Sequence, residues 1–180
     1  MTEQKDQEAA IDIRPFAAAD AGPVEALFIR VNRLLAPAGM KDRFEAYITA
    51  SIADEIGRIE DYYAERGGRF WVAADGDRIV GMFGLERHGT NGMELRRMYV
   101  APEARRRGLA RRMLALAEAY CRETGIGEMH LSTAEIQEAA IGLYKACGYR
   151  LVREEVARDA TNKTVGGDMR RFHFIKLLRP

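Results

Sequence analysis

Arg105, Arg106 and Arg107 stand directly before Gly108, and an amphipathic run begins at Leu109. These residue types in this order suit the holding of an anion. The first backbone N–H groups of a helix have no internal partners, and the helix dipole adds partial positive charge at that end. Gly108 carries no Cβ, so an anion's oxygens can come close to the backbone there. The three guanidinium groups add charge that does not titrate away. A phosphate or pyrophosphate is the guest this chemistry fits. Turn chemistry alone leaves a second reading open, a solvated basic start to an ordinary core helix.

The turn needs a strand before it and a helix after it. Leu95, Met98, Tyr99 and Val100 form an apolar, strand-like run that Pro102 ends. From Leu109 the period becomes helical, with Met113, Leu116 and Tyr120 on one row and Ala110, Leu114, Ala117 and Cys121 on the next. Within the strand, Leu95 has one parity while Met98 and Val100 have the other. A bulge between them would reconcile the two and splay this strand from a parallel neighbour, leaving backbone groups open to an extended ligand. A central strand buried on both faces would need no bulge.

The chain has 180 residues, 47% of them apolar, which suits one folded domain with a substantial core. The expected organisation is a polar tail over residues 1–10 and a single domain over 11–180. Net charge is +1, so any basic site must be local. No apolar run reaches the roughly 20 residues of a membrane span, and the polar start lacks a secretory core. Cys121 and Cys147 offer neither a disulfide framework nor metal-ligand spacing. Both are expected as buried thiols in helices, and a reducing, cytoplasmic setting is expected. His88, His130 and His173 are widely spaced and show no metal pattern.

Read in order, residues 11–16 should be a strand, and Asp20 should cap a helix running to Leu35. A second helical region spans 42–66, with Gly57 as a possible break. Strands are expected at 70–75 and 78–87, joined by the Asp75-Gly76 turn, and Gly81 and Gly84 suggest bulges or close backbone approach. After the 109–123 helix come a strand at 129–133, a helix at 138–149 ended by Gly148, and strands at 150–157 and 169–178 around a polar loop. A helical crossover makes the 129–133 strand parallel to the one before the basic turn. The fold class is α+β, a three-layer arrangement with a mixed, mostly antiparallel sheet of about seven strands, a splayed central parallel pair and helices on both faces.

Two motifs then point to a family. Arg105 to Ala110 fits a turn of Arg or Gln, two residues, Gly, one residue, then Gly or Ala. Leu143-Tyr144, three residues later followed by Gly148-Tyr149, fits a characteristic helix ending. With the element order, these make the chain resemble the GNAT superfamily of N-acetyltransferases over residues 11–178. The resemblance implies acetyl-CoA as co-substrate, with no metal. It assigns the pyrophosphate to Arg105, Arg106, Arg107, Gly108, Leu109, Ala110 and Arg111, and the pantetheine to the backbone of Met98 and Val100. The Met98 N–H would also polarise the thioester carbonyl. Gln137 stands where most family members place an asparagine contacting CoA, seven residues before the tyrosine. Ala110 stands where glycine is common.

The implied reaction is direct attack of a primary amine, from a small molecule or a peptide, on the thioester in a ternary complex. The resemblance makes Tyr144 the acid that protonates the leaving thiolate, although it sits on an apolar face where core tyrosines are common. It makes Glu94, eleven residues before Arg105, the base for the amine, against the competing readings of a surface carboxylate or ordered water. Arg96 and Arg97 are expected to line the cleft or pair with Glu94. Acceptor contacts are expected from the 28–66 helices and the 158–168 loop, with Asn32, Arg33, Tyr47 and Asp168 as candidates. An acyl-CoA sensor without turnover is the alternative. Nucleic acid and membrane partners are not expected, and a homodimer is compatible with everything above.

Overall fold

A computed structural model describes residues 11–178. The expected tail, residues 1–10, lies outside the described residues. Twelve helices and strands make up the domain: β1 (Asp12–Pro15), α1 (Ala21–Leu35), α2 (Lys41–Asp54), α3 (Ile59–Glu65), β2 (Arg69–Asp75), β3 (Arg78–His88), β4 (Gly92–Val100), α4 (Leu109–Glu123), β5 (Glu128–Ala134), α5 (Glu138–Ala146), β6 (Arg150–Ala157) and β7 (Met169–Leu177). No helix among them is long and apolar enough to cross a membrane.

The seven strands form one sheet in the order β1-β2-β3-β4-β5-β7-β6. Every neighbouring pair is antiparallel except β4 and β5, which run parallel. The strand period places helices on both faces. Phe70 turns to one face and packs with Tyr63 of α3, ring centroids 5.2 Å apart. Its neighbour Trp71 turns to the other, stacking on Phe83 at 5.0 Å and meeting Tyr120 of α4 at 4.9 Å. The strand glycines have the same logic. A Cβ at Gly84 would enter the Tyr63 ring, and one at Gly81 would stand 3.0 Å from the Met113 sulfur.

The expected bulge is present in β4. Along β3 the register steps two residues, from Gly84 to Met82, while β4 steps three, from Arg96 to Tyr99. The extra residue is accommodated at Arg97, which adopts φ 54° in the left-handed region. Pairing of β4 with β5 stops at Leu95↔Leu131, although β5 continues beside β7 to Ala134. From Arg96 onward β4 therefore pairs only with β3, and a gap opens on its other side.

Several local expectations need correction. Asp20 gives the start of α1 no side-chain cap; its carboxylate instead accepts from Arg14 at 2.7 and 2.8 Å and from the Ala17 N–H at 2.8 Å. A guanidinium fork outcompetes a single capping bond. The 42–66 helix breaks through a 3-10 turn at Ile56–Arg58, as Gly57 hinted. Cys121 is buried, but Cys147 is partly exposed, at the end of a helix that fully buries only Tyr144.

Candidate active site

Beyond the bulge, β4 runs through Val100 into a 3-10 turn at Pro102–Ala104 and on to α4. Arg106 and Gly108 both have positive φ, 60° and 73°, so the backbone curls just before the helix. Gly108 takes the last position before α4 without strain, and a Cβ built on it would meet nothing within 4 Å. The backbone faces open space there. Arg105, Arg106 and Arg107 are exposed around it, while Leu109 is buried and pins the helix start to the core. Ala110 is half-buried and Arg111 exposed. Arg105 Nε donates to the Val100 carbonyl at 3.2 Å, tying the turn to the open end of β4. Arg111 reaches the Cys147 sulfur at 3.4 Å, and Arg112 donates to the Ile11 carbonyl at 2.8 Å.

The gap beside β4 opens into a cleft lined by Glu94, Met98, Tyr99, Gln137 and Tyr144, among others. Tyr144 is carried in by α5, buried among Tyr149 and Phe174. Its hydroxyl lies 4.0 Å from the Met98 sulfur, across the gap. Burial pushes that hydroxyl well above tyrosine's ordinary pKa, so it is held as a proton donor. Gln137 is oriented by the end of β5, its Oε1 accepting from Thr133 Oγ1 at 3.0 Å and from the Ala134 N–H at 3.3 Å. Met98 and Val100 are half-buried at the gap edge.

Glu94 lines the cleft and accepts from Lys163 Nζ at 2.7 Å. Lys163 comes from the loop between β6 and β7 and also donates to Glu86 at 3.0 Å. Burial alone would lower the pKa of this ammonium, but its bonds to Glu94 and Glu86 outweigh that and hold it above its ordinary value. Arg96 and Arg97 are not Glu94's partners. Both are buried and turn to Glu55, which accepts from Arg96 at 2.8 Å and from Arg97 at 2.7 Å. Arg96 also reaches Glu86 at 3.1 Å, and Tyr63 donates to Glu55 at 2.6 Å. The Asn162 carbonyl accepts from Arg97 at 2.6 Å, and Arg97 also bonds the Tyr47 hydroxyl.

Of the acceptor candidates, Asn32 and Tyr47 line the cleft. Arg33 is paired with Glu45 on the outer surface at 2.7 Å, and Asp168 sits in a left-handed turn away from the cleft lining. Sequence reasoning missed Glu55, Glu86, Lys163 and Arg171. Adjacent arginines in a mostly apolar strand were a usable signal, since buried charges require partners. His88 and His130 lie with ring centroids 4.2 Å apart, and His130 bonds Glu128 at 3.1 Å. Among the described residues no group of three or more His, Cys, Asp or Glu is placed to hold a metal ion.

The sequence pattern described as the acetyltransferase (GNAT) family matches residues 37–149, from the start of the α2 region to the end of the α5 motif. This chain belongs to that family. N-acetyltransferase 8 of Homo sapiens is 28% identical over 116 residues, covering 61% of this chain and 51% of its own length. Probable N-acetyltransferase 14 of Xenopus tropicalis is 36% identical over 101 residues, 54% of this chain and 48% of its own. The chain thus spans about half the length of the curated relatives it matches. Among solved structures, PaiA N-acetyltransferase from Thermoplasma acidophilum, in complex with coenzyme A, has a TM-score of 0.74 at 20% identity, over 93% of this chain and 99% of its own. The splayed parallel pair and the seven-stranded mixed sheet are this family's fold.

Proposed function

We propose that this family member transfers an acetyl group from acetyl-CoA to a primary amine by direct attack in a ternary complex. The observation that carries the reading is the Tyr144 hydroxyl, buried and 4.0 Å from the Met98 sulfur across the gap where β4 leaves β5. In this reading pantetheine lies against the backbone of Met98 and Val100, and the Met98 N–H polarises the thioester carbonyl. The pyrophosphate lies over the N–H groups of Gly108, Leu109 and Ala110, with Arg105, Arg106, Arg107 and Arg111 around it. Gln137 borders the same cofactor.

The amine nitrogen attacks the carbonyl carbon, and the C–S bond breaks as the tetrahedral intermediate collapses. Tyr144 gives its proton to the leaving thiolate, and Glu94 takes the proton that the amine loses, directly or through water. Glu94 already holds Lys163, so taking that proton requires exchanging one hydrogen-bonding partner for another. The relatives named as N-acetyltransferases, and the burial that keeps the Tyr144 hydroxyl protonated, support this assignment.

Incubation with acetyl-CoA and a panel of primary amines tests the proposal, with free thiol followed over time. Thiol release that depends on the amine is expected. Tight CoA binding without turnover on any acceptor would replace this reading with an acyl-CoA sensor.

A further inference from the structure

The charges around the cleft do not balance locally. Arg96, Arg97, Lys163 and Arg171 line it, against Glu94 alone. Glu55 and Glu86, set behind the wall, account for most of the difference. Arg96 and Arg97 are matched by Glu55, and Lys163 bridges Glu86 and Glu94. Arg171 has no such match. Among the described residues no carboxylate comes within ion-pair distance of it, and Glu155, opposite it on β6, is engaged with His173 at 2.8 Å and Arg153 at 2.5 Å. Among the described residues its side chain makes one hydrogen bond, from Nη2 to Ser132 Oγ at 2.6 Å.

A guanidinium set in a cleft wall with one neutral partner is costly to desolvate. Burial accordingly pulls its pKa below the ordinary arginine value, yet it stays a cation. Its planar fork matches a carboxylate through two parallel bonds. Ser132 fixes one arm of that fork, which leaves it oriented before any ligand arrives. Leu35, Phe44 and Ile136 line the same cleft and give it apolar surface.

We infer that Arg171 anchors a carboxylate of the amine acceptor, so that the acceptor is an α-amino acid or close derivative with an apolar side chain rather than a polyamine. This rests on the acetyl-transfer reading of the cleft. A polyamine would add like charge beside Arg171 and Lys163, and would leave the guanidinium without an anionic partner.

The test uses matched triplets: L-leucine, L-leucinamide and 3-methylbutylamine, and the phenylalanine equivalents. Binding to the CoA-saturated protein is measured by calorimetry, and kcat/KM by thiol release from acetyl-CoA. The amino acid should bind at least about tenfold tighter than its amide, a gap typical of a charge-assisted hydrogen-bonded pair. Arg171→Met should abolish the gap while leaving CoA affinity unchanged, and Arg171→Lys, which keeps the charge and loses the fork, should narrow it. If Arg171→Met does not fold, the Arg171→Lys narrowing alone decides. A gap absent from both triplets, or one that survives these substitutions, overturns the anchor. A gap in binding with no thiol released keeps the anchor and removes the transfer reading.

Discussion

On the cleft side of the splayed strand, Glu55 accepts bonds from Arg96, Arg97 and Tyr63, and none of these groups reaches solvent freely. On the turn side, Arg105, Arg106 and Arg107 stand exposed around a glycine backbone with open space before it. Both regions are basic in sequence, and they differ in burial. Buried arginines are matched during folding and hold the protein's own shape. The exposed arginines leave their guanidinium groups at the solvent boundary beside the helix N–H groups. A run of positive residues therefore says little until the burial of each one is known.

The sharpest way to break this contrast is Glu55→Gln. Removing one partner of a buried ion cluster strands the others, so stability should fall by about 3–5 kcal/mol, read from urea unfolding. A loss under about 1 kcal/mol would mean the cluster does not hold the bulge. Tyr144→Phe, at the seam between the two regions, should slow acetyl transfer by about 10²-fold, within the range of a lost general acid, with CoA affinity unchanged. Equal turnover would remove the acid role. Gly108→Val tests the turn side. Its φ of 73° suits a β-branched residue poorly, so stability should drop by about 1–2 kcal/mol and the KM for acetyl-CoA should rise. An unchanged KM would separate the turn from the cofactor.

The smallest expected effect is on pH dependence. Burial opposes the charge of Glu86, but Arg96 and Lys163 outweigh burial and hold its pKa below the usual carboxylate range. A group lowered in this way stabilises the fold above its unfolded pKa, about 4.3. That contribution is lost as pH falls through the lower folded value. Melting temperature should therefore fall in acid below about pH 4.3, and Glu86→Gln should flatten that fall. An identical acid limb in the variant would show that other carboxylates govern it.

The strand bulge was legible because parity is a local property: Leu95 and Met98 could not both face inward on a regular strand. The basic turn was legible for the same reason, as was the order of strands and helices. Glu55 was not, because it lies in a polar stretch between α2 and α3 and its arginine partners are more than forty residues away. Lys163 lay in a loop read only as polar. Arg171 sat on a strand rich in charge, where alternation marks an exposed face and gives no hint of a cleft. Long-range pairing of charges leaves no periodic trace, so the sequence showed where the backbone opens but not what neutralises its lining.

Arg97 occupies the left-handed region at the extra residue of β4, a conformation that costs a non-glycine residue roughly 1–2 kcal/mol. The same side chain is gripped by Glu55 from the turn after α2. The kink that parts β4 from β5 is thus secured by an acid in the first half of the chain. The consequence is a limit on modularity. Helices α1 and α2, which carry Asn32, Phe44 and Tyr47 into the cleft, cannot be exchanged for another helical segment unless the replacement supplies a carboxylate at that point.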